Sequence, residues 1–335
     1  MYINSYRAVI KMFTIDEIKK IKYSYELFGE DIEEIKSKYV ELMKEYHPDL
    51  HGQKAEYIEA SEKINKLYKQ AEEDINNGIW EGPGFISLKC IDGSYKQIKY
   101  KISHKFELGE MYIGDKIILY LINNKYEKLV FNAIDKLKNI KYSNYDMEME
   151  FKKCIPNIQS SFKTITGEVG VILEKEEDLI LLRDLLDYYN GKLTVDIVRL
   201  VLNSLYNIEC FIKFNGLIHN GISIDNYFIS IKNNYGALLG GWWYSIEDKG
   251  NIKSSIDLDA IRILGRKILG DESGDILFSS NSMPKDLARW LMKPSDENPF
   301  EEYCKWNNLY AIIKDIKYKK DTIDNDDLYN SIEKN

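Results

Sequence analysis

The amino-acid sequence predicts a multidomain protein in which an all-α helical hairpin precedes a two-lobed α+β body. Three observations support this fold class: apolar residues at helical spacing before residue 77, a glycine-rich break over 76–85, and a strand-rich stretch followed by a helix-rich one. The chain has 335 residues, of which 44% are hydrophobic, so it can fill more than one core.

The N-terminal hairpin is predicted from two runs of apolar residues at steps of four, three and four. The runs are Ile35, Tyr39, Leu42 and Tyr46, then Ala60, Ile64, Leu67 and Ala71. Pro48 ends the first helix, because proline lacks an amide donor and disfavours helical torsions at the residue before it. Two helices joined by so short a loop are expected to pack antiparallel.

An earlier helix is expected over "TIDEIKKIKYSYELFG". Thr14 is suited to be its N-cap, Glu17 stands three residues later as in a capping box, and Gly29 is suited to end it. This helix can lie across the hairpin.

The region of about residues 14–77 resembles a J-domain, with "EEIKSKYVELMKEYHPDLHG" followed by "SEKINKLYKQAEEDI". The unbroken triplet His47, Pro48 and Asp49 lies between the two helices, where that family has it. The resemblance implies that the triplet docks on a seventy-kilodalton heat-shock chaperone and stimulates its ATP hydrolysis. It also assigns docking to basic residues of the preceding helix, which are Lys36, Lys38 and Lys44 here.

Two features bear on this docking hypothesis. An aspartate on a tight loop can make a charge-assisted contact with a partner arginine, but proline and aspartate are also common in simple turns. The lysines of the first helix are interleaved with acids, namely Glu33, Glu34, Glu41 and Glu45. Docking is therefore expected to be weaker than in the family, or tuned to one chaperone.

The break is followed by a linker and lead-in strand over 78–94 and by short runs rich in aromatic and β-branched residues. Strands are predicted for "FISLKCI", "YKQIKYKI", "DKIILYLI" and "KLVFNAI", with "INNKY" as a tight hairpin before the last. From about residue 142 helices are expected, most clearly over 194–214, with Gly216 ending that helix. The polar tail over 319–335 is expected to fray.

The order of parts over 95–318 resembles a protein kinase, with a small lobe of about 95–175 and a large lobe of about 176–318. "GLIHNGISIDNYFIS" is similar to the catalytic loop, "YGALLGGWWYS" stands at the metal-binding segment, and "SSIDLDAIRILGRKILG" looks like the helix beneath the activation segment. The resemblance implies a kinase fold, and each catalytic position can be checked against the chemistry that it serves.

The catalytic positions are degraded. The candidate glycine-rich loop "ELGEMYIG" has only Gly109 and Gly114, the lysine position of the third strand aligns with Asn132, and the helix glutamate, Glu148 or Glu150, has no lysine to pair with. The aspartate expected two residues after His219 is Gly221, the metal-binding aspartate is Gly240, and Asn226 alone survives from the magnesium set. We therefore predict a pseudokinase with no catalytic residue, nucleotide cofactor or metal site.

The remaining polar and aromatic residues of these motifs have a structural and a functional interpretation. His219 and Asp257 are expected to brace the loop by hydrogen bonds, as they do in kinases. Asp225 is a spare carboxylate that could serve as a base, although its position normally faces away. Trp242 and Trp243 are expected to fill the space vacated by nucleotide, with an exposed peptide-binding surface as the alternative.

The net charge of −8 disfavours nucleic acid as a partner. The four cysteines, Cys90, Cys154, Cys210 and Cys304, have no metal-binding spacing and are typical of reduced thiols in a cytosolic protein. No apolar run is long enough to span a membrane, so we expect a cytoplasmic protein without a membrane partner.

The leading hypothesis is a J-domain co-chaperone whose pseudokinase body binds an unidentified protein client or acts as a scaffold. The first alternative is a divergent phosphotransferase or nucleotide-binding switch in which Asn226 and unrecognised acidic residues suffice. The second is an interaction scaffold whose hairpin engages no chaperone.

Overall fold

The computed structural model describes residues 13–21, 23–28, 32–76, 82, 84–250, 255–271, 284–313 and 328–329. The predicted helix stop at Gly29, most of the glycine-rich break and nearly all of the tail over 319–335 lie outside these residues. The chain divides into two compact units, Met1–Tyr100 and Lys101–Asn335. The predicted lead-in strand therefore belongs to the first unit.

Three helices form the first part of the N-terminal unit: α1 (Ile15–Lys20), α2 (Ile32–Tyr46) and α3 (Ala55–Asn76). The capping box is confirmed, since Glu17 N donates to Thr14 Oγ1 at 3.2 Å and Thr14 N donates to the Glu17 carboxylate at 2.7 Å. The predicted length of α1 is wrong. The backbone leaves the helix at Ile21 and makes a 3-10 turn at Ser24–Glu26, which brings Leu27 into the core.

The core of this unit lies between α2 and α3, as the periodic pattern predicts. Its buried residues include Ile35, Leu42 and Tyr46 from α2 and Ala60, Ile64, Leu67 and Ala71 from α3. Tyr39 adds a polar link, because its hydroxyl donates to Asn65 Oδ1 at 2.7 Å and its ring stacks on Tyr68 with centroids 4.0 Å apart. The two alanines leave room for close approach of the helices.

A two-stranded antiparallel hairpin completes the N-terminal unit. Its strands are β1 (Phe85–Lys89) and β2 (Tyr95–Lys99), paired from Phe85 with Lys99 to Lys89 with Tyr95. Gly93 in the connecting turn has a left-handed φ of 84°. The second predicted strand, "YKQIKYKI", is therefore interrupted: the next strand starts at Ile102, in the second unit.

The first part of the second unit, residues 101–174, is called the small lobe here. It contains β3 (Ile102–Phe106), β4 (Gly109–Ile113), β5 (Ile117–Ile122), α4 (Glu127–Lys138), α5 (Tyr145–Phe151), β6 (Asn157–Lys163) and β7 (Val169–Glu174). The strands form one antiparallel sheet in the order β3, β4, β5, β7, β6.

The strand predicted for "KLVFNAI" and the "INNKY" hairpin are wrong. Asn124–Tyr126 forms a 3-10 turn and Glu127–Lys138 forms α4, whose buried residues are Val130, Ala133 and Ile134. These positions follow a helical spacing, which outweighs the β-branched and aromatic composition on which the prediction depended.

The expectation that the chain becomes helical from about residue 142 fails over 157–174, because β6 and β7 return to the sheet. β7 is buried on nearly every residue, whereas β6 is an edge strand that alternates between exposed and half-buried residues. The polar composition of "NIQSSFK" is suited to such an edge, but it gives a weak strand signal.

The large lobe follows from residue 175. Its elements are β8 (Ile180–Leu181), α6 (Leu182–Tyr188), α7 (Val195–Phe214), β9 (Leu217–Ile218), β10 (Tyr227–Ser230), β11 (Tyr235–Leu238), β12 (Ile246–Glu247), α8 (Ser255–Ile268), α9 (Lys285–Met292) and α10 (Pro299–Ile313). The predicted helix over 194–214 is confirmed, and it ends before Gly216, whose φ is 66°. Two residues of the predicted frayed tail, Leu328 and Tyr329, are buried.

Candidate functional site

The loop between α2 and α3 is a compact 3-10 turn over Pro48–His51. His47 is extended, with φ −66° and ψ 128°, as expected before proline. The carbonyl oxygen of Pro48 accepts hydrogen bonds from the backbone amides of Gly52 and Gln53, the latter at 3.0 Å. The backbone of the loop is therefore closed on itself before any partner binds.

The Asp49 side chain lies at the surface, with 68% of its area exposed. Gln53 Nε2 donates a hydrogen bond to Asp49 Oδ1, and His47 Nδ1 lies 3.6 Å from Asp49 Oδ2. His47 Nδ1 also accepts from the backbone amide of Asp49 at 3.3 Å. The carboxylate is thus oriented by its own loop while remaining open to a partner cation.

His51 ties the loop to both helices. Its Nε2 is 2.7 Å from the carbonyl oxygen of Glu45, at the end of α2, and its ring stacks on Tyr57 of α3 with centroids 3.7 Å apart. Because a carbonyl oxygen only accepts, Nε2 carries the proton of this contact. Sequence reasoning did not single out His51 or Gln53, since their roles depend on contacts across the turn.

Most charged residues of α2 fall on two faces of the helix, although Glu33 lies on the same side as Lys36, three residues before it. Lys36, Val40 and Lys44 follow one another at four-residue steps and are all exposed. The second face contains Lys38 among three acids, and its members are Glu34, Lys38, Glu41 and Glu45. We call the first set the basic stripe. It contains two of the three predicted docking lysines, whereas Lys38 lies on the acidic face.

In the large lobe, Asp257 of α8 fixes the loop that follows β9. Its Oδ2 accepts from the backbone amide of His219 at 2.6 Å, and its Oδ1 accepts from that of Asn220 at 2.8 Å. The imidazole of His219 is fully buried and its Nε2 lies 3.1 Å from the carbonyl oxygen of Gly240. Burial lowers the pKa of His219 to about 3 and raises that of Asp257 to about 6.

Three glycines, Gly221, Gly240 and Gly241, pack closely around Asn226. A Cβ atom on Gly240 would lie 2.5 Å from Asn226 Oδ1 and 2.7 Å from the Tyr120 hydroxyl oxygen. One on Gly221 would lie 3.0 Å from the carbonyl oxygen of Gly241, and Gly241 itself has a φ of 79°. The positions predicted to lack their acids therefore have little space for any side chain.

Asn132 does not occupy the lysine position of the third strand. It lies on α4, where its Nδ2 donates to the carbonyl oxygen of Ser245 at 3.1 Å and its Oδ1 accepts from Lys136. The third strand of the small-lobe sheet is β5, and its Tyr120 is the residue whose hydroxyl reaches Gly240. The predicted strand position of Asn132 is therefore wrong, because Glu127–Lys138 forms a helix.

Asn226, the surviving member of the magnesium set, is used within the protein. Its Nδ2 donates to the carbonyl oxygen of Gly221 at 2.8 Å and to Ser223 Oγ at 3.1 Å. Its Oδ1 faces the Gly240 backbone. The amide therefore braces the loop from one end to the other.

A polar cavity of about 270 Å³ remains between the two lobes, lined by His104, Lys105, Phe106, Glu107, Met111, Tyr120, Arg183, Ser223, Asp225 and Asn226. Asp225, which was expected to face away, lines this cavity and contacts Arg183. Burial raises the pKa of Asp225, and the Arg183 charge opposes that rise. The cavity is smaller than most ligand pockets, which span roughly 300–1,000 Å³.

Several contacts join the two lobes around this cavity. His104 Nε2 of β3 lies 2.8 Å from Asp184 Oδ1 of α6, and the Tyr244 hydroxyl donates to Glu107. Trp243 packs against Tyr120 with ring centroids 4.8 Å apart. The lobes are therefore held together by polar side-chain contacts and aromatic packing.

Both tryptophans are buried, which favours their interpretation as packing residues. Trp242 is 1% exposed and Trp243 6% exposed, and Trp242 Nε1 donates to the carbonyl oxygen of Leu238 at 2.8 Å. The ring of Trp242 also meets that of His219 at 5.0 Å. A peptide-binding surface formed by these two side chains is excluded by their burial.

The predicted glycine-rich loop is a tight hairpin between β3 and β4. Phe106 pairs with Gly109, so Glu107 and Leu108 alone form the turn, and Leu108 is buried. A Cβ atom on Gly109 would lie 2.0 Å from the carbonyl oxygen of Leu121, so this glycine is required by strand packing. Gly114 follows β4, and its amide donates to the carbonyl oxygen of Ile117 at 2.9 Å.

The helix glutamates that lacked a predicted partner contact other residues. Glu148 pairs with Lys152 at 3.1 Å, one helical turn away, and Glu150 Oε1 accepts from Asn207 Nδ2 at 2.6 Å. Neither contact involves β5. These acids therefore stabilise α5 and its junction with α7.

Cys90, Cys154 and Cys210 are buried and Cys304 is exposed, all as free thiols. In the described part of the chain, no group of three or more His, Cys, Asp or Glu side chains could hold a metal ion. Among the helices that the structure describes, none has the length and apolar character needed to cross a bilayer.

No known protein family matches this sequence. No curated protein matches it either. Among solved structures, the crystal structure of the BubR1 kinase domain is similar, with a TM-score of 0.47 and 13% sequence identity, over 76% of this chain and 94% of that chain. The roles of individual residues are therefore inferred from the contacts that they make in this chain.

Proposed function

We propose that this protein is a cytoplasmic J-domain co-chaperone with a kinase-like body that performs no phosphotransfer. In this proposal the loop at His47, Pro48 and Asp49 engages a seventy-kilodalton heat-shock chaperone and stimulates its ATP hydrolysis. The body binds a client protein or serves as a scaffold.

The observation that carries the proposal is the presentation of Asp49. Its carboxylate is 68% exposed at the tip of a helical hairpin whose backbone is closed by internal hydrogen bonds. An oriented, exposed carboxylate can form a strong charge-assisted contact with a guanidinium group at low ordering cost. The basic stripe on α2 supplies two lysines, Lys36 and Lys44, for an acidic partner surface.

The resemblance of the body to a kinase is supported by the chain's own arrangement. The five-stranded antiparallel sheet precedes a helical lobe, and an Asp257-braced loop follows the long helix α7. Phosphotransfer requires charges that hold metal and phosphates. Here glycines replace two acids, Tyr120 lies beside Gly240, and the Asn226 amide is already bonded to the loop. These contacts favour an inactive body over a divergent phosphotransferase.

The decisive experiment is single-turnover hydrolysis of ATP preloaded on a purified seventy-kilodalton chaperone. Wild-type protein is expected to accelerate hydrolysis, and Asp49→Asn to reduce that acceleration at least about tenfold, because it removes a charged hydrogen-bond acceptor. Glu41→Gln is the matched control: it makes the same carboxylate-to-amide change at an exposed position on the acidic face of α2.

Three outcomes separate the hypotheses. Acceleration that survives in Glu41→Gln and is lost in Asp49→Asn supports the co-chaperone. No acceleration by the wild type contradicts it and leaves the interaction scaffold. Hydrolysis of Mg·ATP by the protein without chaperone, sensitive to Asn226→Ala, would instead support the phosphotransferase.

A further inference from the structure

Gln53 combines an unfavourable backbone with a specific side-chain contact. Its φ is 57°, in the left-handed region that residues with a Cβ atom rarely adopt, and it directly follows Gly52, whose φ is 64°. Glycine would fit this backbone with less strain. The presence of glutamine therefore calls for a role of its side chain.

That side chain contacts Asp49. Gln53 Nε2 donates to Asp49 Oδ1, four residues earlier, across the turn. The backbone of the turn does not depend on this contact, because the amides of Gly52 and Gln53 both donate to the carbonyl oxygen of Pro48. The side-chain amide of Gln53 therefore contacts the Asp49 carboxylate and is not needed to form the backbone turn.

The Asp49 carboxylate depends on such a contact for its orientation. With 68% of the side chain exposed, packing does not restrict its rotamers. On the other side, His47 Nδ1 approaches Asp49 Oδ2 at 3.6 Å, beyond normal hydrogen-bond distance. Gln53 therefore makes the closest side-chain contact with this carboxylate in the described loop.

We infer that Gln53 is a positioning residue, which holds the Asp49 carboxylate in the orientation presented to an arginine of the chaperone. This inference rests on the proposed function. Pre-orientation lowers the ordering cost of binding without adding a contact to the partner. We expect Gln53 to affect the stimulation of ATP hydrolysis, in which Asp49 takes part, more than the docking of the chaperone on the basic stripe.

The test uses the full-length protein and two variants, Gln53→Gly and Gln53→Glu. Gln53→Gly relieves the left-handed backbone and removes the amide, whereas Gln53→Glu keeps the length and places a second carboxylate beside Asp49. Each is expected to lower the maximal stimulated rate of single-turnover ATP hydrolysis about fivefold, the effect of losing about one hydrogen bond. The concentration for half-maximal stimulation is expected to change less than about twofold, since the basic stripe is intact.

If Gln53 had only a structural role, Gln53→Gly would not lower the maximal stimulated rate. If the glutamine only closed the turn, glycine would preserve the melting temperature and the maximal rate together. A maximal rate equal to that of the wild type in Gln53→Gly would therefore overturn the inference. A lower rate with an unchanged melting temperature supports positioning.

A second measurement separates failure of this inference from failure of the proposed function. In nitrogen-15 NMR spectra of the full chain, the side-chain amide resonances of Gln53 are expected to shift in Asp49→Ala. Unchanged resonances would overturn the contact whatever the chaperone does. If they shift but the wild type does not stimulate the chaperone, the contact stands, and both the proposed function and its positioning role fail.

Discussion

The Tyr120 hydroxyl and the Gly240 backbone meet between the two lobes: a Cβ atom on Gly240 would lie 2.7 Å from that hydroxyl oxygen. Tyr120 is 1% exposed, and burial raises its pKa far above the ordinary value. The phenol therefore stays neutral. A bulky neutral group, which offers no charge to a metal ion or a phosphate, therefore lies against Gly240.

We predict that Gly240→Ala destabilises the protein by about 2 kcal/mol, the usual cost of overpacking a core. The added methyl group meets Asn226 Oδ1 at 2.5 Å and the backbone Cα atom of Asn226 at 3.0 Å, so the loop has to move. Gly221→Ala is the matched comparison, because its closest contact is longer, at 3.0 Å. Urea denaturation should rank the two variants in this order, and equal stabilities would contradict the close packing at Gly240.

The same geometry predicts that an acidic side chain at position 240 does not create a nucleotide-binding site. Gly240→Asp is expected to lower the melting temperature more than Gly240→Ala and to give no stabilisation by Mg·ATP, because the larger side chain has no space beside Asn226 and Tyr120. The measurement is the melting temperature of each variant with and without Mg·ATP. Stabilisation of the variant, or of the wild type, by several degrees would show a nucleotide site that the described contacts do not suggest.

Sequence patterns predicted the elements whose signal is local. The positions of α2, α3 and α7 followed from apolar residues at helical spacing, and Pro48 and Gly216 set two of the ends. The strand "KLVFNAI" failed because its β-branched and aromatic residues also fit a half-buried helix. Composition and periodicity conflicted there, and the tertiary environment of α4 decided the outcome.

The residues of the candidate sites also differ in whether the sequence alone could identify them. Asp49 and Gly221 could be singled out by their offsets from His47 and His219, and Gly240 by its place after "ALL", and the roles assigned to them stay predictions. Tyr120 and Gln53 could not be identified from the sequence. Tyr120 acts on a residue 120 positions away in sequence, and Gln53 acts through a left-handed turn that favours glycine rather than glutamine.

We predict that the protein loses stability in acid partly through His219. Burial lowers its folded-state pKa from 6.5 to about 3, so between these values the unfolded chain binds the proton more readily. The contribution of His219 is therefore fully present above pH 6.5 and is lost as the pH falls toward 3. From pH 6.5 to pH 4.5 the loss is about 2 to 3 kcal/mol.

His219→Gln isolates this contribution, because glutamine does not titrate and its amide can still donate to the carbonyl oxygen of Gly240. The stability gap between wild type and variant, measured by urea denaturation, should change by this amount between pH 6.5 and pH 4.5. Parallel curves across that range would refute the assignment. Asp257, with its pKa raised to about 6, acts in the opposite direction in both proteins and cancels in the comparison.

The two faces of α2 predict unequal effects of charge reversal on docking. Lys36→Glu and Lys44→Glu on the basic stripe should each weaken binding to a purified seventy-kilodalton chaperone about three- to fivefold at low salt, the effect of an exposed charge pair. Lys38→Glu, on the acidic face, is the matched control and should change affinity less than about twofold. Raising the ionic strength from about 0.05 M to about 0.5 M should reduce all three differences, because exposed charges are screened. Fluorescence titration measures the affinity of each variant for the chaperone. If all three variants lose the same affinity, the helix contributes only through its net charge, and the basic stripe is not a docking surface.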